Sequence, residues 1–250
     1  MDFFDTLIAQ LQKEAVQMDS FAVDPRDWQV FLDPAAAQRI EVQQDVPVEQ
    51  SVIETVENKP VSSVDVFDIE ALRADIAGCR ECPLAKMRKN PALSYGNPHA
   101  KLMIVIENPS LLDDEDGQIF AGEVGALLDK MLLAMGLKRS DTYITAIVKC
   151  RTPGNRQVSE DELNACRKLF FDREIKAVKP ECILAFGAGF AKNILHREGT
   201  ISNLRGTFDS YDGIPVMSTF NPAYLLRQPS AKRTVWNDLQ MVMKALNLNG

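Results

Sequence analysis

From residue 68 onward, short apolar runs alternate with amphipathic segments. Apolar runs of five to seven residues are typical of buried strands, and here they occupy 101–106, 143–149, 182–186 and 214–219. Helical segments lie at 69–77, 123–135 and 159–178, after Gly189 as far as His196, and from Ser230 to Leu246. The S-x-x-E pattern at Ser159 predicts a capping box, and Ser230 is expected to cap the last helix. Because strands that alternate with helices build a parallel sheet covered on both faces, the pattern predicts an α/β three-layer sandwich with a central four-stranded parallel sheet.

The first part of the chain has a different pattern. Residues 2–17 place Phe3, Leu7 and Leu11 at helical spacing and predict an amphipathic helix. That helix either docks on its own domain or binds a protein partner. Residues 39–67 have little periodicity, which is typical of a mobile linker. The expected division is an N-terminal helical appendage (1–38), an acidic linker (39–67) and a folded domain (68–250).

Charge follows this division. The formal net charge is −7, but residues 1–75 carry 16 acidic and 5 basic side chains, whereas residues 76–250 carry 19 and 23. The folded domain is therefore mildly basic, which permits contact with phosphate. The sequence contains no run of about 20 apolar residues that would predict a membrane span. Its acidic N-terminus lacks the basic start of a secretory signal. We expect a cytoplasmic protein.

Four cysteines are spaced for metal binding. Cys79 and Cys82 form a C-x-x-C pair, whereas Cys150 follows a predicted strand and Cys166 lies in a predicted helix. Four such thiolates ligate either a tetrahedral zinc or an iron–sulfur cluster, and the spacing leaves that choice open. The fifth cysteine, Cys182, lies in an apolar strand and is expected to be a small buried hydrophobe.

The segments around these cysteines resemble the iron–sulfur (family 4) uracil-DNA glycosylases. The resemblance runs in the family's order through C-R-E-C-P-L-A, D-E-D-G-Q-I-F-A-G-E-V-G-A-L-L-D, Y-I-T-A-I-V-K-C-R-T-P-G-N-R, the helix that reaches Cys166, L-R-G-T-F and N-P-A-Y-L-L-R. It implies a uracil-DNA-glycosylase-like fold, a 4Fe–4S cluster on the four cysteines with zinc as the less favoured metal, and DNA as the partner. The implied reaction flips uracil or another modified base out of DNA and hydrolyses its N-glycosidic bond.

The resemblance also assigns roles in the base pocket. Glu107 matches the family's glutamate, and Asn108 resembles the water-positioning asparagine of mismatch-specific uracil glycosylases, so both are expected to orient water. Phe120 matches the phenylalanine that stacks on the base, although a core position is the simpler alternative. Ala146 replaces a base-reading asparagine and leaves uracil selection in doubt. Asn221 replaces a histidine and retains a donor for the leaving base.

Two further segments match the DNA-contacting parts of the family. The turn at 224–227 is expected to wedge into the minor groove, and the loop after Cys150 to hold the DNA backbone. The residues concerned are Tyr224, Leu225, Leu226 and Arg227 in the turn and Arg151, Asn155 and Arg156 in the loop. Lys149 and Arg205 are further candidates for backbone contact.

The changed pocket positions also leave a second hypothesis open. A catalytically inactive DNA-binding protein would keep the fold, the cluster and the wedge without cleaving a base, because function depends on a site rather than on a fold. Cleavage of a modified-base oligonucleotide separates the two hypotheses.

Overall fold

The structure, a computed structural model, describes residues 69–248. The expectations for the appendage and the linker lie outside these residues. Within the described range, the strands form one six-stranded mixed sheet in the order β1-β3-β2-β4-β6-β5. Their bounds are β1 (Tyr95–Gly96), β2 (Leu102–Ile106), β3 (Thr142–Ala146), β4 (Cys182–Phe186), β5 (Phe208–Tyr211) and β6 (Ile214–Thr219).

The predicted four-stranded parallel sheet is confirmed. Strands β3, β2, β4 and β6 pair in parallel, and β4 and β6 have the predicted bounds. Strand β3 is shorter than predicted and ends at Ala146, although the next two residues still donate backbone hydrogen bonds to the end of β2. The antiparallel edge strands β1 and β5 were not predicted, because they are short and none of their residues is buried.

Helices cover both faces of this sheet. They are α1 (Ile69–Gly78), α2 (Leu111–Asp116), α3 (Gly122–Ala134), α4 (Glu160–Cys166), α5 (Asp172–Val178), α6 (Gly189–Asn193), α7 (Ile201–Leu204), α8 (Pro222–Arg227) and α9 (Lys232–Ala245). None of the helices in this range is long and apolar enough to cross a membrane.

The alternating side chains of β2 divide the interior into two cores. Leu102, Ile104 and Ile106 face the front core, which also contains Leu128 of α3 and Leu239 of α9. Successive strand residues point to opposite faces of a sheet. The odd-numbered residues of β2 therefore face the other side.

That second side is the back core. It contains Met103 and Val105 of β2, Ile76 of α1, Ile175 of α5 and Phe190 of α6. One sheet between two helical layers is the predicted three-layer sandwich.

The starts of two helices, α4 and α9, test the capping residues that the sequence predicts. Ser159 begins α4 with a capping box in which its hydroxyl accepts from the backbone of Glu162, as the S-x-x-E pattern predicts. A π-helical segment, Arg167–Phe171, separates α4 from α5. The prediction that Ser230 caps the last helix is wrong, because α9 follows Ala231 and the Ser230 hydroxyl accepts from the Gln228 side chain instead.

Candidate functional site

The predicted site residues follow the carboxyl ends of the parallel strands. Glu107 and Asn108 follow β2, and Asn221 follows β6. Gly189, which the sequence did not mark as a site residue, comes shortly after β4. In open α/β sheets, ligands bind at this edge. The local sequence accounts for the placement, because each apolar run ends at a polar residue or a glycine.

Glu107 is held by helix α6. Its Oε1 accepts a hydrogen bond from Nδ2 of Asn193 at 2.7 Å. Gly189 lies one helical turn before Asn193, and a Cβ added there would lie 2.5 Å from Glu107 Oε2. Position 189 must therefore lack a side chain for Glu107 to occupy this slot.

Asn108 is held much more loosely. Its Nδ2 lies 3.4 Å from the Thr152 hydroxyl and 3.4 Å from the carbonyl of Pro109. The Thr152 hydroxyl is itself fixed, because it donates to the carbonyl of Arg156 at 2.7 Å. These long contacts leave the half-buried amide of Asn108 able to exchange them for water or a substrate.

Asp113 joins the Asn108 loop to the Phe120 loop. Its carboxylate accepts from the backbone N–H of Ser110 and from that of Ala121, both at 2.9 Å. The sequence reasoning did not identify Asp113, although the S-x-x-D pattern beginning at Ser110 is a capping-box signal that could have found it.

Replacing Asp113 with alanine is expected to destabilise the protein. The Ser110 and Ala121 N–H groups would lose their acceptor, at a cost of about 1–3 kcal/mol for each one left buried and unpaired. Urea unfolding measures the change, with Glu115→Ala, an exposed position on the same helix, as the control. Equal free energies of unfolding for the two variants would contradict this bracing role.

Phe120 lies inside the front core with a strained backbone. Its φ is +59°, a conformation uncommon for a non-glycine residue. The ring is 4% exposed and packs edge-to-face on Phe186, with centroids 5.7 Å apart. Gly125 lets this turn approach α3, since a Cβ there would lie 1.9 Å from the Phe120 carbonyl oxygen. Stacking of Phe120 on a base stays a prediction.

Ala146 shares the front core with Phe120. It is the last residue of β3, is fully buried and pairs in register with Ile106. Its carbonyl accepts from Nζ of Lys149 at 2.7 Å. The side chain is therefore on the same side of the sheet as the predicted stacking ring.

The predicted contact of Lys149 with the DNA backbone is wrong. Its side chain is 1% exposed and forms an ion pair of 2.7 Å with the fully buried Glu174. Arg205 is also engaged internally, because its Nε donates to buried Asp238 at 2.8 Å and its guanidinium also reaches the Thr234 carbonyl. Buried charges are stable only when they are paired in this way.

Asn221 begins helix α8. Its side-chain oxygen accepts from the backbone N–H of Ala223 at 2.8 Å, which is a standard N-cap. Because this cap uses the oxygen, the amide NH₂ group is the part left to interact with a ligand. The cap therefore fixes the orientation of the Asn221 amide.

The turn at 224–227 presents only part of its apolar surface. Tyr224 is 38% exposed and Leu226 is 42% exposed, whereas Leu225 is fully buried in the front core. Tyr224 also stacks on Phe220, with ring centroids 4.9 Å apart. The exposed groups of the turn are therefore Tyr224, Leu226 and Arg227, and Leu225 anchors it.

The loop after Cys150 is tied to helix α4 by a charged contact. Arg156 forms two hydrogen bonds to Glu162, of 2.6 and 2.8 Å, and these bonds lower the pKa of Glu162 to about 2. Arg151 donates to Asn155 at 3.3 Å, and its buried Nε has no partner among residues 69–248. A phosphate contact by Arg156 would compete with Glu162.

The four predicted metal ligands lie around one cavity. Cys79, Cys82, Cys150 and Cys166 all line this one small cavity. Ala165 of helix α4 and Leu169 and Phe170 of the π-helical segment form its apolar wall, and Glu81, Arg88 and Lys149 also line it. Within residues 69–248, no three or more His, Cys, Asp or Glu side chains are arranged to hold a single metal ion. Cys182 is fully buried in β4 and does not line the cavity, as expected for a structural thiol.

Hydrogen-bond donors surround the cavity sulfurs. Arg88 donates to Cys150 Sγ at 3.1 Å and to the carbonyl of Cys79 at 2.9 Å, and the backbone N–H of Lys149 donates to Cys166 Sγ at 3.3 Å. Burial raises the pKa of Cys166 to about 12 and raises that of Cys150, which the hydrogen bond from Arg88 opposes. Thiols become thiolates when they bind metal, and N–H donors of this kind stabilise the charged sulfur.

Sequence reasoning missed the residues that hold the site in place. Gly189, Asn193 and Arg88 act through contacts between positions far apart in the chain, 86 residues in the case of Asn193 and Glu107. No local pattern marks such a contact. The fold and site together define an α/β sandwich with a polar edge at its strand ends and a four-thiol cavity beside it.

Comparison with known proteins identifies the family of this sandwich. A model described as the uracil DNA glycosylase superfamily matches residues 93–240, more than half of the chain. The chain belongs to the uracil-DNA glycosylase superfamily. It is 34% identical over 183 residues to the type-4 uracil-DNA glycosylase of Pyrobaculum aerophilum, covering 70% of this chain and 93% of that protein. It is 32% identical over 186 residues to the Thermotoga maritima type-4 enzyme, covering 73% and 96%.

Two further relatives are less similar to the chain. A type-5 uracil-DNA glycosylase of Pyrobaculum aerophilum is 28% identical over 152 residues, which cover 54% of this chain and 66% of that protein. A DNA polymerase of Bacillus phage SP01 is 27% identical over 164 residues, but only 18% of that protein is covered.

Proposed function

We propose that this protein is a DNA glycosylase that removes uracil or another deaminated or modified base. The observation that carries the proposal is the pair of amides at the ends of two parallel strands, Asn108 after β2 and Asn221 after β6. One amide is loosely held and the other presents its NH₂ group. The similarity to enzymes named uracil-DNA glycosylases supports the same reaction class.

Base excision needs water on one side of the sugar and a donor on the leaving base. In the proposed mechanism Asn108 orients the attacking water, and the Asn221 NH₂ group donates to the base oxygen that gains negative charge as the N-glycosidic bond breaks. Asn221 is a neutral donor and transfers no proton. Phe120 stacks on the flipped base, which requires its ring to gain access from the front core.

The DNA must be held while one nucleotide is extruded. We assign the wedge to Tyr224 and Leu226, whose exposed side chains fill the gap left by the flipped nucleotide, with Arg227 on a neighbouring phosphate. Leu225 holds the turn against the front core. Arg151 and Asn155 are assigned to the DNA backbone, and Arg156 chiefly ties the loop to Glu162.

The four thiols fit an iron–sulfur cluster. A 4Fe–4S cluster takes four cysteine thiolates around its volume, and Cys79, Cys82, Cys150 and Cys166 surround one cavity with N–H donors to two of the sulfurs. The cluster would supply a structural crosslink. The residues themselves join the start of the domain to the loop after β3 and to helix α4, next to the proposed DNA contacts.

Restoring an amide at position 146 is expected to increase preference for uracil. In Ala146→Asn the new side chain offers a donor and an acceptor to the uracil edge, which should contribute about 1–3 kcal/mol, or roughly tenfold to a hundredfold in relative rate. Single-turnover excision of uracil against the best other substrate measures the ratio.

Ala134→Asn is the matched control for this change, because Ala134 is also fully buried in the front core but lies near the end of α3. It should lose stability without gaining selectivity. An unchanged ratio in a folded Ala146→Asn protein would remove this position from the base pocket.

The proposal is tested with a panel of oligonucleotides, each carrying one modified base, followed by alkaline cleavage at abasic sites. At least one substrate should be cleaved. The second candidate, a DNA-binding protein without catalysis, is favoured by the apolar Ala146 in place of a base-reading group. Binding of the whole panel without cleavage would support that candidate and overturn the glycosylase proposal.

A further inference from the structure

The Glu107 side chain lies on the opposite side of the sheet from the proposed base pocket. The Glu107 carboxylate contacts helix α6 at Gly189 and Asn193, and Phe190 of that helix belongs to the back core. Phe120 and Ala146 belong to the front core. The backbone at Glu107 is fixed separately, because the Val148 N–H donates to the Glu107 carbonyl at 2.9 Å.

Helix α6 forms a fitted slot for this carboxylate. Gly189 opens the slot, since an added Cβ would lie 2.6 Å from Glu107 Cβ and 2.7 Å from its Cδ. Asn193, four residues later and thus on the same face of the helix, closes the slot with its 2.7 Å hydrogen bond. Phe190 and Ile194 fix α6 on the back core. The carboxylate is thus held by a rigid element.

We propose that Glu107 and Asn193 form an anchor that positions Asn108, and that neither residue touches the substrate. This inference rests on the proposed function, in which Asn108 orients the water. It changes the role that the sequence suggested for Glu107, from a catalytic residue to a positioning residue. Asn193 gains a role that the sequence analysis did not suggest.

The reason for an anchor lies in the weak support of Asn108 itself. Among residues 69–248, the Asn108 amide nitrogen has contacts of 3.4 Å to Thr152 and Pro109 and no shorter one. Its position therefore depends on the backbone that precedes it. The Glu107 carbonyl is held by Val148, two residues after β3, and its side chain is held by α6, so residue 107 is fixed from two sides. A displacement of residue 107 moves Asn108 directly, and small misplacements of a catalytic group lower the rate strongly.

Exchanging the two groups of the anchor tests this role. Glu107→Gln keeps an oxygen that accepts from Asn193 and should stay within about threefold of the parent in single-turnover rate. Asn193→Asp places two carboxylates together and should lower that rate by about tenfold or more, as well as the melting temperature, because a charge-assisted bond becomes a repulsion. The double variant restores an amide–carboxylate pair in the reverse order and should recover both rate and melting temperature.

The control is Asn203→Asp, which adds the same charge at an exposed asparagine on α7. It should leave rate and melting temperature close to those of the parent. DNA affinity, measured at the same salt concentration for every variant, separates weaker binding from a slower chemical step.

Each outcome has a distinct meaning. A loss of about a hundredfold or more in Glu107→Gln, not recovered in the double variant, would show that the carboxylate itself acts on water and would overturn the anchor. In another outcome, the melting temperature falls in Asn193→Asp and recovers in the double variant without any change in the excision rate of Asn193→Asp. That result would show a merely structural pair and would overturn the positioning role. If the parent cleaves no oligonucleotide, the proposed function fails. Independently of that result, the anchor is overturned if Asn193→Asp keeps the parental melting temperature or if the double variant does not recover it.

Discussion

Replacing Asn108 with alanine is expected to lower the single-turnover rate of base excision by about a hundredfold or more while DNA affinity stays close to that of the parent. The expectation follows from the role of an oriented water, since a misplacement of about 1 Å at a reacting group can lower the rate about 10²-fold. Within the part of the chain that the structure describes, the Asn108 side chain makes contacts of 3.4 Å, so replacing it breaks no short hydrogen bond there. The measurement pairs excision rates with binding to the same oligonucleotide.

Asn97→Ala is the matched control for this change. Asn97 is also a half-buried asparagine in a loop, and its side-chain oxygen accepts from the His99 backbone. It follows β1, at the sheet edge formed by the shortest strand. Its replacement should leave the rate within about threefold of the parent. An Asn108→Ala protein that folds, binds DNA and excises the base at the parental rate would exclude Asn108 from the chemistry.

Replacing Cys150 with serine is expected to remove most of the bound iron and to lower the melting temperature. The purified parent should be brown, with about four iron and four acid-labile sulfide per chain. Cys150 links the loop after β3 to Cys79 through Arg88, so the loss of the cluster should also loosen that loop. Iron and sulfide analysis after anaerobic purification, together with thermal unfolding, measures both effects.

Cys182→Ala is the matched control, because Cys182 is buried in β4 away from the cavity. It should keep the iron content of the parent and lose only the stability that a small cavity costs. A colourless parent that contains stoichiometric zinc would falsify the cluster.

The residues that differ from the sequence expectations have one cause in common. Lys149 and Leu225 were placed on the DNA surface from their motifs, yet both side chains point into the domain. Lys149 turns inward because buried Glu174 supplies the opposite charge. Leu225 turns inward because α8 packs on the front core with that face. Whether a side chain faces solvent depends on a partner that the local sequence does not reveal.

The sequence by itself determined the four central strands of this protein and its candidate chemistry. Apolar runs located the four parallel strands, because burial of a short segment depends on its own residues. The S-x-x-E pattern located the start of α4, because a cap is made within four residues. The four cysteines were identified as metal ligands from their spacing in the chain, and in the structure all of them line one cavity.

Only the tertiary structure decided which side chains support the site. The slot that Gly189 and Asn193 form around Glu107, and the bridge that Asp113 makes between two loops, depend on elements that meet through packing. The groups in such a contact are brought together by the packing of the two cores. The residues next to them in the chain therefore do not predict the contact. Local interactions select the strands and helices, whereas long-range packing selects the direction of each side chain at their ends.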